Sequence, residues 1–148
     1  DAIGAGGFTH GLTYSHHVVG AAAGRAVLRV LRERRLVEAA ETMGKRLRAG
    51  LEARLGGHPA VGDVRGLGLM VAVELVADRA ARTPFPRPVA AARELGLLLY
   101  WSTGCADGED GDLVMLGPPL VVTDAEVDEM VDLTATAVET AAAQTPAR

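Results

Sequence analysis

Apolar residues recur at helical spacing in three stretches of this chain, with short apolar runs of a different period between them. In the first stretch, Val19, Ala23, Ala26, Val27, Val30 and Leu31 share one face of a helix that the pattern starts at Ser15, as N-cap, and carries to about Arg35. Val18 to Ala23 is apolar nearly all round, which predicts burial on more than one side. In the second, Leu36, Ala40, Met43, Leu47, Leu51 and Leu55 form a stripe that Gly56-Gly57 ends. In the third, Thr123 and Glu126 have the spacing of a capping box, in which each side chain satisfies the other's free backbone N–H. The helix they open carries Val127, Met130, Val131, Thr134, Ala137, Val138 and Ala141 on one face, and Gln144 to Arg148 is expected to fray.

The runs between are strand-like. His58-Pro59 turns the chain into Val61–Arg65, which alternates weakly, and Leu69–Val76 is a nearly continuous, β-branched run that predicts a central strand. Pro84, Pro86 and Pro88 stiffen a loop from Asp78 to Pro88, a short helix from Val89 to Leu95 stops at Gly96, and Leu97–Trp101 reads as a strand. Ser102–Asp112 is an acidic, solvated loop, and Leu113–Leu116 is a last strand closed by Gly117-Pro118-Pro119. Asp1 to Tyr14 carries neither period and reads as a loop. The order predicts an α+β fold, with helices packed on one face of a small, mostly antiparallel sheet.

Composition narrows this picture. A chain of 148 residues, 49% hydrophobic and 23% charged, has the size and balance of one globular domain. With only 3% aromatic residues, the core must be built from Leu, Val and Ala. The net charge of -4 argues against a nucleic-acid partner. Arg29, Arg32, Arg34 and Arg35 instead favour the negative end of the first helix. Cys105 is the single cysteine, so no internal disulfide forms and a reducing cytoplasm fits. No apolar run reaches the roughly 20 residues a membrane helix needs, and no signal-peptide pattern is present. The chain opens at Asp1 without methionine, so its beginning reads as a cut or processing point.

Most candidate reactive groups have a plain reading. Lys45, the single lysine, lies opposite Met43, Leu47 and Leu51 in a row with Glu41, Arg46 and Arg48, so it is a surface residue and not a nucleophile. His16 and His17 are adjacent and point apart on a helix, and His10 is distant, so no metal set forms. A simple structural role is expected, ahead of a capping role or one behind a ligand-contacting residue for one of them. Cys105 precedes Asp107, Glu109, Asp110 and Asp112, whose charges oppose a thiolate. Those acids miss calcium-loop spacing. Gly66-Leu67-Gly68 lacks the third glycine of a dinucleotide fingerprint and leads into a strand. Thr13 differs, because its hydroxyl lies in a glycine-flanked loop just before a helix start. On chemistry alone it serves a local turn as readily as it holds an anion.

Beyond single residues, Gly7-Phe8-Thr9-His10-Gly11-Leu12-Thr13-Tyr14-Ser15-His16-His17 resembles the G-x-F-x-H-G-x-T-Y-S-G-H-P region of class III aminotransferases, pyridoxal phosphate enzymes of fold type I. His58-Pro59-Ala60-Val61-Gly62-Asp63-Val64-Arg65-Gly66-Leu67-Gly68-Leu69-Met70 is similar to the V-x-D-V-R-G-x-G-L-M segment of that family, and Leu116-Gly117-Pro118-Pro119-Leu120 to its closing strand. The resemblance spans nearly the whole chain, in order.

It implies the C-terminal part of a longer enzyme: 1–14 a loop from the end of the large domain, 15–57 inter-domain helices, and 58–148 the small C-terminal α+β domain. It also implies that Thr13 hydrogen-bonds the phosphate of pyridoxal 5'-phosphate held by the neighbouring subunit, helped by the backbone around Leu12, in a homodimer with shared active sites. Amine and oxo-acid substrates would follow. No catalytic residue would lie in this chain, because the cofactor's lysine lies upstream in the family. The chain alone would then be inactive. A decarboxylase or aminomutase on the same scaffold, or a non-catalytic dimerisation module, are the alternatives. His16 departs from the family's frequent Gly, and Val18 from its frequent Pro, which predicts a differently shaped helix start. The segment from Pro84 to Leu95 looks shorter than usual. Met115 in the closing strand, and an arginine-free Ser102–Asp112 loop, replace the arginine that grips a substrate carboxylate in some branches.

Overall fold

The computed structural model describes residues 11–81, 83–84, 91–105, 107–109 and 111–144. The chain divides into two compact units, residues 1–36 and 37–148.

The first unit holds α1 (Val18–Glu33). Its N-cap is His17, two residues beyond the Ser15 expected from the sequence. The reason is local. His16 adopts φ +64°, which no helix accommodates, and the Ser15 hydroxyl is turned back to accept from the Leu12 N–H at 3.3 Å. At the other end Arg34 and Arg35 donate to the carbonyls of Val30 and Arg32 at 3.0 and 3.1 Å, and Arg35 breaks the helix at φ +48°. No residue of α1 is buried, although its apolar face is broad.

The second unit is the predicted α+β layer. It contains α2 (Leu36–Leu55), β1 (Val61–Leu67), β2 (Met70–Asp78), β3 (Thr83–Pro84), α3 (Ala91–Glu94), β4 (Tyr100–Ser102), β5 (Asp112–Leu116) and α4 (Asp124–Gln144). The strand order is β1-β2-β5-β4, every pair antiparallel, with β3 beside β2. One sheet face presents Val71, Val73, Leu75, Val114 and Leu116 to Leu47, Leu51 and Leu55 of α2 and to Val127, Val131 and Val138 of α4. Full burial of each such side chain contributes about 1.5–3 kcal/mol. The other face is open: Arg65, Ala72, Met115 and Tyr100 form one row across it.

Three details differ from the sequence-based expectation. Thr83–Pro84, expected as loop, pairs with β2; a two-residue peripheral strand tolerates proline's missing N–H. The strand expected from Leu97 starts only at Tyr100, because the Leu97 N–H is held by the Ala92 carbonyl at 2.9 Å, at the end of α3. Asp112, expected in a solvated loop, opens β5 opposite Leu75 and is 3% exposed. The short helix is described over Ala91–Glu94, residues 85–90 lying outside the described residues, and Gly96 at φ +81° follows it.

Close packing and ion pairs join the layers. Gly44 of α2 lies against the backbone of Gly68, the left-handed residue (φ +53°) in the β1–β2 turn. Arg46 forms a two-pronged pair with Asp128 at 2.9 and 2.7 Å, and Arg54 pairs with Asp132, tying α2 to α4. The expected capping box is present: Thr123 N–H donates to Glu126 Oε2 at 2.8 Å and Glu126 N–H to Thr123 Oγ1 at 3.3 Å.

Candidate functional site

The segment with the richest donor chemistry is Leu12–Gly20, and it is built from overlapping turns. The Ser15 N–H donates to the Leu12 carbonyl at 2.9 Å, which places Thr13 at the second position of a turn. The His17 N–H then donates to the Tyr14 carbonyl at 3.2 Å. At the helix start the His17 carbonyl accepts from Ala21 at 2.9 Å, while the Gly20 N–H donates to His17 Nδ1 at 2.9 Å. That bond assigns the ring proton of the neutral imidazole to Nε2. The Tyr14 and His17 rings meet edge-on, with centroids 6.3 Å apart at 74°. Gly7 to His10 lie outside the described residues.

The arrangement has the chemistry of an anion site. Thr13 and its neighbours are exposed, and the first turn of α1 holds no acidic side chain that would neutralise the positive end of the helix dipole. The N–H groups of Val18 and Val19 have no carbonyl four residues back inside the helix. An exposed hydroxyl a few residues before a helix start whose first amides lack an intrahelical acceptor, with no acidic side chain in that first turn, fits a phosphate group.

Elsewhere the candidates separate as their neighbours dictate. Lys45 is 71% exposed and pairs with Glu41 at 2.6 Å, and that ammonium holds the Glu41 carboxyl below its ordinary value. It sits at the rim of an apolar groove of about 470 Å³ between α2 and the β1–β2 turn, walled by Ala40, Gly44, Leu67 and Leu120. Nothing there desolvates the amine. Cys105 is exposed, with Sγ 3.9 Å from the Thr103 carbonyl oxygen. Arg65, on the open sheet face, is clasped by Glu74 and Asp63, and the Glu74 hydrogen bond raises its already high pKa. The helix-capping imidazole of His17 was the residue that pattern reading undervalued. Its signal was a glycine three positions on, where a Cβ would lie 2.9 Å from Nδ1.

Comparison with known proteins fits this layout. The profile of the Aminotransferase class-III family matches residues 1–138. The chain belongs to the class III aminotransferases. It is 37% identical over 139 residues to an uncharacterised aminotransferase of Schizosaccharomyces pombe, covering 89% of this chain and 29% of that protein. Among solved structures, a transaminase from the marine bacterium Virgibacillus superposes with a TM-score of 0.81 at 33% identity, over 93% of this chain and 32% of that one. The omega transaminase of Pseudomonas jessenii, solved in complex with PMP, superposes with a TM-score of 0.75 at 33% identity, over 97% of this chain and 31% of that one. The chain thus spans about three tenths of the length of these relatives.

Within this chain the two departures at the helix start find a physical account. His16 occupies a left-handed position (φ +64°), where glycine carries no steric penalty. Val18 is the first helical residue, where proline's fixed φ and missing N–H are tolerated. A left-handed residue at 16 and a first helical residue at 18 are positions that glycine and proline also suit.

Proposed function

We propose that this chain is the C-terminal part of a pyridoxal 5'-phosphate-dependent aminotransferase, which moves an amino group from an amine or amino acid to a 2-oxo acid or aldehyde. In this reading 1–14 closes the large domain, the helices of 15–57 lead away from it, and 58–148 forms the small domain whose core α2 shares. The observation that carries it is the exposed Thr13 hydroxyl, set in a turn at the acid-free N-terminal end of α1.

When bound, pyridoxal phosphate supplies an electron sink for bond breaking at the amine carbon. The chain's own residues bind and orient. Thr13 donates to the phosphate of the neighbouring subunit's cofactor, the backbone around Leu12 assists, and the small domain borders the substrate cleft. Two subunits would then complete each other's sites, as a homodimer in the cytoplasm. Among the described residues no helix is long and apolar enough to cross a membrane. Lys45, bound to Glu41, is not the cofactor's lysine, so the chain alone is inactive in this reading.

The test is Thr13→Ala in the full-length protein, followed by dialysis and measurement of retained cofactor by absorbance. Weaker retention is expected. Retention equal to that of the parent removes Thr13 from the site.

A further inference from the structure

We propose that His17 is a positioning residue for Thr13: its imidazole locks the turn that presents the Thr13 hydroxyl to the cofactor phosphate. This rests on the phosphate-site reading above and adds to it a residue that makes no phosphate contact.

The ring joins a backbone amide on one side to a neighbouring aromatic side chain on the other. On one side its Nδ1 accepts from the Gly20 N–H at 2.9 Å, anchoring it to the first turn of α1. On the other its edge meets the ring of Tyr14, the residue directly after Thr13. Serine, threonine or aspartate at the same place would cap the helix equally well but would leave Tyr14 untouched. Aspartate would also set a negative charge beside the phosphate, whereas the imidazole nitrogen accepts the hydrogen bond from the Gly20 N–H without adding one.

The seat of the ring is shaped for it. A Cβ built on Gly20 would lie 2.9 Å from His17 Nδ1, closer than side-chain carbons approach. Glycine weakens a helix, and at this position it leaves the imidazole its present seat. The cap, the edge-on ring contact and the glycine are three separate features that serve one orientation of one side chain. Since Thr13 lies between Leu12 and Tyr14, both held in this chain of turns, loss of the imidazole frees the hydroxyl to sample other directions.

The experiment compares two ligands in the full-length apoenzyme: pyridoxal phosphate and pyridoxal, which lacks the phosphate. His17→Ala and Gly20→Ala should each weaken binding of pyridoxal phosphate by about five- to tenfold, the span of a lost cap, and leave pyridoxal unchanged. Gly20→Ala is the sharper arm, because alanine strengthens the helix while displacing the ring. The proposal stands only if both variants show the phosphate-specific loss. An unchanged ratio in either, or an equal loss for both ligands, overturns it. Thr13→Ala run in parallel separates the two ideas. If Thr13→Ala shows the phosphate-specific loss and the other two do not, His17 is only a helix cap and the phosphate site stands. If Thr13→Ala leaves the ratio unchanged, the phosphate-site reading itself falls, and this proposal with it.

Discussion

Gly44 and Gly68 meet backbone to backbone: a Cβ on Gly44 would fall inside van der Waals contact of the Gly68 carbonyl oxygen. Helix α2 can therefore lie directly on the β1–β2 turn only because residue 44 has no side chain. Alanine at that position gains about 1 kcal/mol of helix propensity. The clash is with backbone, which cannot swing aside, and overpacking of this kind costs about 1–3 kcal/mol or more. Gly44→Ala should thus be destabilising on balance, seen as a lower urea midpoint. A raised midpoint would mean that the turn yields freely.

Thr134 carries a hydroxyl that is fully buried on α4 and has no hydrogen-bond partner among the described residues. An unsatisfied buried polar group costs about 1–3 kcal/mol, and valine has nearly the same shape. Thr134→Val should therefore stabilise the second unit by about 1 kcal/mol in urea unfolding. Destabilisation would show that the hydroxyl has a partner in solution.

Acid should loosen the start of α4. The Thr123 backbone N–H, and then its hydroxyl, hold the Glu126 carboxyl below its ordinary value, and hydrogen bonds from Arg46 do the same for Asp128. A depressed carboxylate contributes stability above its unfolded-state pKa, and that contribution is lost as pH falls through the folded-state value. The loss therefore begins below the ordinary carboxylate range, about pH 4. Melting temperature measured between neutral pH and pH 3 should show a steeper acid limb in the parent than in a Glu126→Gln, Asp128→Asn variant. Parallel curves would assign the acid limb to other groups.

At the helix start, His16 accepts a left-handed backbone that costs a residue with a Cβ about 1 kcal/mol. His16→Gly should firm up the cap, giving roughly fivefold slower amide exchange at Ala21, and Val18→Pro should leave it unchanged. Faster exchange in the glycine variant would show that the His16 side chain makes a stabilising contact.

The helices were legible because their information is local. The stripe from Leu36 to Leu55 and the Thr123–Glu126 box are read from residues three or four apart, and the chain realises both. The candidate site was legible as a resemblance around Leu12 and Thr13, not as a geometry. Ser15 looked like the N-cap because it has the usual cap chemistry. The φ of His16, which passes that role to His17, leaves no mark on a hydrophobic pattern.

By itself the sequence determined the α+β layering, the ends of the second helix, the start of the last one, and the family. Each follows from periodic burial, neighbouring hydrogen bonds or a recognisable run of residues. Tertiary structure decided the rest. Arg46 meets Asp128 across 82 positions, Pro84 joins the sheet, and Gly44 sets the distance between α2 and the β1–β2 turn. Only the folded chain brings such distant groups within reach of one another, so no window of sequence contains their energy.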